Sequence, residues 1–226
     1  MRVWMVWCAA ALLVALQPLG SRAQQPVTAR QGNAKAPGTQ SPGASAAAAP
    51  EEPMTDEEKA SQLSDQVGKL MVKCVNLLTA QDPLSLDYCR QQRDLAEQYP
   101  PKQRMVDRML AHDEYGIALA AFDRKKEALV EFNEEIVLLP AAVKPGTVEW
   151  STAYWHRAMI HSELGENDLA DHDYRAAEES FRKQEQEQGE QHPDKKMRVV
   201  LRQHAALLQK EGKTDASQRL LAEAAK

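Results

Sequence analysis

Apolar residues recur every three to four positions from Thr55 to the C-terminus, the spacing that places them on one face of an α-helix. Only 5% of the residues are aromatic, and Ala, Leu, Gln and Glu outnumber the β-branched residues, which disfavours a sheet. We therefore predict an all-α fold of eight helices, paired as four antiparallel hairpins. The predicted helices lie between Thr55 and Asp82, between Pro83 and Pro100, and at 102–122, 125–139, 148–164, 168–188, 194–211 and 215–225.

Three of the predicted hairpins share one spacing of small and large residues. Each has a small residue in its first helix, another small residue 12 positions later and a large apolar residue 4 positions after that. Two helices cross closely only where neither side chain is bulky, and the large side chain then fills the space beside the crossing. The three sets are Gly116/Ala128/Phe132, Ala158/Ala170/Tyr174 and Ala205/Ser217/Leu221.

The residues around these crossings resemble the tetratricopeptide repeat (TPR). One copy is carried by Ala153-Tyr154-Trp155-His156-Arg157-Ala158, Leu164-Gly165-Glu166-Asn167 and Ala170, Tyr174 and Ala177; a second by Tyr115, Gly116, Leu119, Ala128, Phe132 and Pro140; and a weaker third by Ala205, Leu208, Gly212, Leu221 and Ala224. The copies recur after 42 and 47 residues, against about 34 in the family. Glu135 and Ser217 stand where the repeat usually has small residues or alanine.

This resemblance covers residues 105–225 and implies a short right-handed superhelix of stacked hairpins. In such a stack the first helix of each repeat lines a concave groove that binds a peptide. Residues 54–100 match the repeat poorly, so we interpret them as a degenerate N-terminal hairpin ahead of TPR-like repeats at 101–226.

The resemblance also implies which residues line the groove. Trp155 and Met159 would form an apolar anchor for a peptide, and the alternative for Trp155 is a place in the core against the next hairpin. The selected residues are Asp113 and Ile117 in the first repeat, Trp155, His156 and Met159 in the second, and Arg202 and Gln209 in the third.

The N-terminus has the pattern of a secretory signal peptide over residues 1–23. Arg2 precedes an unbroken run of 14 apolar residues, which is shorter than the about 20 needed to span a bilayer. Small residues at Ser21 and Ala23 predict cleavage after Ala23. The alternative is an uncleaved membrane anchor. With cleavage we expect no stable membrane insertion.

Residues 24–53 are rich in Pro, Ala and Gly and carry one large aliphatic side chain, Val27. Such a segment cannot bury enough apolar surface to offset the entropy of ordering, so we predict a disordered tether. Together with the signal peptide, it favours an exported protein. The periplasm of a Gram-negative bacterium fits best, and secretion is the other compartment considered.

Two cysteines, Cys74 and Cys89, remain after signal cleavage. They lie at similar distances on either side of the turn at Asp82, so the two helices of the first hairpin would bring them to the same height. In an exported chain this predicts a structural disulfide. Two buried thiols and redox chemistry are the alternatives.

No catalytic or phosphate-binding motif occurs: the chain has no Gly-rich phosphate loop, no Gly-x-Ser-x-Gly and no His-Glu-x-x-His. His156 and His161 are five positions apart, about 140° around a helix, which is unsuited to a shared ligand. We expect no metal and no cofactor. The formal charge of −5 disfavours nucleic acid as a partner.

These features predict a non-catalytic interaction module that binds a protein or peptide of the cell envelope. The alternative is an accessory subunit or enzyme of envelope metabolism with a cleft that no motif reveals.

Overall fold

The computed structural model describes residues 54–189 and 193–226, so the predicted signal peptide (1–23) and tether (24–53) lie outside the described residues. Within this part of the chain there are eight α-helices and no strand. The helices are α1 (Asp56–Thr79), α2 (Leu84–Ala96), α3 (Met105–Ala121), α4 (Lys125–Ala142), α5 (Val148–Leu164), α6 (Asn167–Gln188), α7 (Lys195–Lys210) and α8 (Thr214–Glu223).

Each helix packs mainly against its neighbours along the chain. The pairs α1/α2, α3/α4, α5/α6 and α7/α8 form four hairpins, and α2/α3, α4/α5 and α6/α7 join each hairpin to the next. The predicted all-α stack of hairpins is confirmed. None of the helices in the described ranges is both long and apolar enough to cross a membrane.

Two of the described helices begin with a side-chain cap. At the start of α1, the Thr55 hydroxyl accepts the backbone N–H of Glu58 (3.2 Å) and the Glu58 carboxylate accepts the N–H of Thr55 (2.8 Å), a reciprocal capping box. At the start of α7, the Asp194 carboxylate accepts the N–H of Met197 (2.7 Å). Both caps satisfy backbone donors that have no partner within the helix.

Helix α4 is longer than predicted, because it passes through Pro140 and ends at Ala142 rather than at Leu139. Proline cannot donate a backbone hydrogen bond. Here the loss is confined to the last turn, since the N–H of Val143 still reaches the carbonyl of Leu139 (2.9 Å). The predicted loop at 140–147 is correspondingly shorter.

Two of the three predicted helix crossings have the expected form. A Cβ atom added to Gly116 would lie 2.6 Å from Cε1 of Phe132, which leaves no room for a larger residue. At the next crossing Ala158 and Ala170 are fully buried and Tyr174 is 3% exposed. These crossings confirm the spacing argument for α3/α4 and α5/α6.

The third crossing departs from the prediction at its large residue. The Ser217 hydroxyl donates to the carbonyl of Ala205 (2.8 Å), so small residues do meet there. Leu221, however, is 48% exposed, and the prediction that it fills the space beside the crossing is wrong. Ala224 and Leu220 of the same end of the chain pack against the core instead.

The first hairpin is joined by a Cys74–Cys89 disulfide, which confirms the predicted pairing. The two Cα atoms are 4.9 Å apart and both side chains are fully buried. They lie in the same apolar cluster as Leu119 and Phe132. The disulfide therefore links α1 to α2 where this hairpin packs against the second one.

Candidate functional site

Four of the seven residues predicted to line a groove are buried. Ile117 and Trp155 are each 6% exposed, and His156 and Met159 are each 7% exposed. Trp155 belongs to the core cluster, and its indole N–H donates to Oε1 of Gln203 on α7 at 2.6 Å. The structure thus places Trp155 in its alternative position, in the core against the next hairpin, and not as an open anchor.

His156 and Asp113 join α5 to α3. Nδ1 of His156 lies 2.7 Å from Oδ1 of Asp113, and the imidazole packs 5.7 Å from the ring of Phe132, centroid to centroid. These two residues of the predicted set are therefore engaged in holding one hairpin on the preceding one.

The exposed members of the predicted set lie on α7. Arg202 and Gln209 are both exposed, as is Ala206 between them, and spacings of four and three residues place all three on one helix face. Within residues 54–189 and 193–226, neither Arg202 nor Gln209 has a side-chain hydrogen bond or ion pair.

This face of α7 borders a shallow depression of about 250 Å³ between α5 and α7. We call the depression and the exposed residues Arg202, Ala206 and Gln209 the first-helix face, because α5 and α7 are the first helices of their hairpins. The structure brings Met159 to it but leaves Asp113 and Ile117 at the earlier α3/α5 contact. The lining includes Met159, Ser162, Tyr174, Ala206, Leu207 and Lys210.

A larger cavity of about 780 Å³ lies between the second helices, α6 and α8, and we call it the α6/α8 cleft. Arg175 and Lys183 of α6 line one wall, Arg219 of α8 lines the other, and His204 and Leu208 of α7 lie at its floor. Sequence reasoning missed this cleft, because its shape depends on how the last helix sits against α6.

Buried histidines paired with carboxylates recur along the stack. The contacts are His112 with Glu131 (2.7 Å) and Glu97 (3.1 Å), His156 with Asp113 (2.7 Å), and His204 with Glu178 and Asp171 (2.7 Å each). Burial alone would lower the pKa of His112, but its hydrogen bonds to Glu131 and Glu97 outweigh burial and raise that pKa.

The repeat resemblance selects only one of these three histidines, His156, as a groove residue. The available signal was positional, since His112, His156 and His204 each lie one to four residues before the small residue of their own helix crossing. Their carboxylate partners lie 15 to 43 residues away in the sequence, so only the folded chain reveals the pairs.

In the part of the chain that the structure describes, two glutamates are buried without a cation in direct contact. Burial raises the pKa of Glu114 to about 8, and a hydrogen bond from Gln92 (2.5 Å) opposes the rise. Burial and the nearby Asp113 raise the pKa of Glu135, while Arg157 opposes that shift. Across the described ranges, no group of three or more His, Cys, Asp or Glu residues is arranged to hold a metal ion.

Comparison with known proteins yields a structural likeness alone. No family model matches the chain, and no curated protein matches it. Among solved structures, it is similar to BtubC (BKLC) from P. vanneervenii, with a TM-score of 0.51 and 16% sequence identity over 76% of this chain and 73% of that chain. At this identity the likeness concerns the fold alone, an arrangement of helices compatible with a helical repeat.

Proposed function

We propose that this chain is an exported, non-catalytic binding module that holds a peptide or protein of the cell envelope on its first-helix face. One observation carries the proposal. Helix α7 has a row of exposed residues, Arg202, Ala206 and Gln209, and the two polar side chains among them have no hydrogen bond or ion pair within the described ranges. This row lies beside a depression with Met159 and Leu207 in its lining. A cation, an amide and an apolar floor are the elements that a peptide-binding surface combines.

The size of the depression favours a side chain of a protein over a small-molecule ligand. Its volume of about 250 Å³ is below the about 300–1,000 Å³ of typical ligand pockets. One aliphatic or aromatic side chain would fill it. The exposed Gln209 amide and Arg202 guanidinium would then contact the backbone or carboxylates of the same partner.

The ionisable groups at the depression support binding rather than catalysis. Glu163 at its edge is ion-paired with Lys125 (3.3 Å). Ser162 lines the depression, and within the described ranges no histidine is hydrogen-bonded to it, so it lacks the neighbouring base that activates a serine nucleophile.

Two further observations support the wider proposal. The Cys74–Cys89 disulfide supports export, because such bonds persist in oxidising compartments. The close crossings at Gly116 and Ala158 support a TPR-like identity for the second and third hairpins. We infer the periplasm as the compartment from the N-terminal sequence.

Affinity capture from the native cell envelope tests the proposal with a matched pair of variants. Ala206→Arg places a long charged side chain at the depression, whereas Ala222→Arg makes the same change at an exposed position of α8 outside it. We expect Ala206→Arg to lose the captured partner, a loss of about 1–3 kcal/mol in binding, and Ala222→Arg to retain it. Equal capture by both variants, with unchanged helicity, would contradict the proposal.

A further inference from the structure

We propose that the α6/α8 cleft is a second binding site, and that it takes an acidic segment of a partner protein in which carboxylates flank an aliphatic side chain. The cleft lies between the second helices and shares no lining residue with the depression between α5 and α7. The proposal does not depend on what the first-helix face binds.

The cleft has the size and lining of a site for a peptide segment. Its volume of about 780 Å³ is three times that of the depression between α5 and α7 and within the range of typical ligand sites. Leu208, Ala216 and Leu220 supply an apolar strip along it. An aliphatic side chain of a bound segment would lie on this strip.

The charge of the lining is opposite to that of the whole chain. Four basic residues line the cleft against two acidic ones, whereas the chain carries a formal net charge of −5. An anionic segment is repelled by the chain as a whole and attracted where the local charge is reversed. The basic residues are Arg175, Arg182, Lys183 and Arg219.

Arg182 is the cation of this set that contacts two carboxylates of the chain. The guanidinium of Arg182 donates to Glu178 (3.1 Å) and makes two hydrogen bonds of 3.2 Å to Glu223. Glu178 also accepts from the buried His204 (2.7 Å), so its negative charge is compensated on two sides. Glu178 therefore opposes an incoming carboxylate less than a free glutamate would.

Two guanidinium groups on opposite walls remain able to bind a carboxylate. Arg219 on α8 is exposed and has no hydrogen bond or ion pair to any residue in 54–189 or 193–226. Within the same ranges, Arg175 on α6 has a side chain that is 67% exposed and one ion pair, to Asp171 (3.1 Å). Arginine binds carboxylates through paired hydrogen bonds, so one carboxylate on each wall would clamp a segment across the apolar strip.

Fluorescence anisotropy with a labelled peptide of alternating glutamate and leucine tests this site on the mature chain. We expect saturable binding that weakens as salt is added and that is absent for the same peptide with glutamine in place of glutamate. Arg219→Glu should weaken binding by about tenfold or more, because one of the two charge-assisted contacts becomes a repulsion. Arg175→Gln should weaken it from the opposite wall.

The matched control is Lys69→Glu, which reverses one positive charge at an exposed lysine of α1 that lines neither the cleft nor the first-helix face and has no hydrogen bond or ion pair within residues 54–189 and 193–226. We expect this control to bind the peptide as the unsubstituted chain does. Equal weakening by Lys69→Glu and Arg219→Glu would show non-specific attraction and overturn the proposal. No binding by the unsubstituted chain, or weakening by Lys69→Glu alone, would overturn it as well. Circular dichroism checks that each variant is folded.

Discussion

Replacing Glu114 with glutamine tests whether the fold keeps this carboxyl group protonated. Glu114 is 6% exposed, and Gln92 donates to its Oε2 atom at 2.5 Å. Burial raises its pKa from an ordinary value of 4.5 to about 8. Because the folded pKa is the higher one, the unfolded chain releases this proton first, and stability is lost as the pH rises from the unfolded to the folded pKa.

The size of the effect follows from the pKa shift. Each pKa unit corresponds to about 1.4 kcal/mol, so between about pH 5 and about pH 7.5 this group costs the unsubstituted chain about 3 kcal/mol of unfolding free energy. Glutamine has nearly the same shape and does not titrate. We therefore expect the difference in unfolding free energy between Glu114→Gln and the unsubstituted chain to shift by about 3 kcal/mol in favour of the variant as the pH rises across this interval.

Urea unfolding followed by circular dichroism at both pH values measures this gain. The other titrating groups are common to both proteins and cancel in the difference between them. A difference in unfolding free energy that is the same at both pH values would show that the fold does not raise the pKa of Glu114.

Four further predictions concern packing, covalent structure, titration and processing. Gly116→Ala should lower the melting temperature, because the added Cβ would lie 2.6 Å from the buried ring of Phe132. Gly68→Ala should raise the melting temperature, because a Cβ added there has no other atom within 4 Å and alanine has the better helix propensity. Cys89→Ser should reduce the unfolding free energy by about 3 kcal/mol, and a thiol assay on the denatured, unreduced mature chain should find no free thiol. His112→Gln should cost more stability at about pH 5.5 than at about pH 9, because a raised histidine pKa stabilises the fold below the ordinary pKa and that stabilisation is lost as the pH rises through the folded value. N-terminal mass determination on the exported protein should find cleavage after Ala23, and retention of Met1 would contradict it.

The periodic pattern of the sequence predicts the eight described helices well, since the spacing of apolar residues on one helix face is a local property of the sequence. It predicts less well which neighbour covers an apolar side chain. Trp155 would lie on an apolar helix face both as a groove residue and as a core residue. In the folded chain α7 packs against it, and Gln203 of α7 accepts its indole N–H, so Trp155 is buried. Leu221 fails for the complementary reason, since within residues 54–189 and 193–226 no neighbouring helix covers its side chain, which is 48% exposed.

The candidate sites depend even more on distant contacts. Arg202 and Gln209 could be selected from the repeat pattern because one exposed face of one helix carries both. The α6/α8 cleft could not be predicted from the sequence, because its walls come from residues more than 30 positions apart, such as Arg182 and Arg219. The histidine–carboxylate pairs have the same non-local origin, as the contact of His156 with Asp113 across 43 positions illustrates.

Site-specific photo-crosslinking in the native cell envelope shows whether the first-helix face holds a partner. The photo-reactive residue replaces Ala206 at the depression or, as the control, Val137 on α4, which is 71% exposed and lies outside it. We expect one discrete crosslinked partner from position 206 and none from position 137. A partner crosslinked from position 137 but not from position 206 would contradict it.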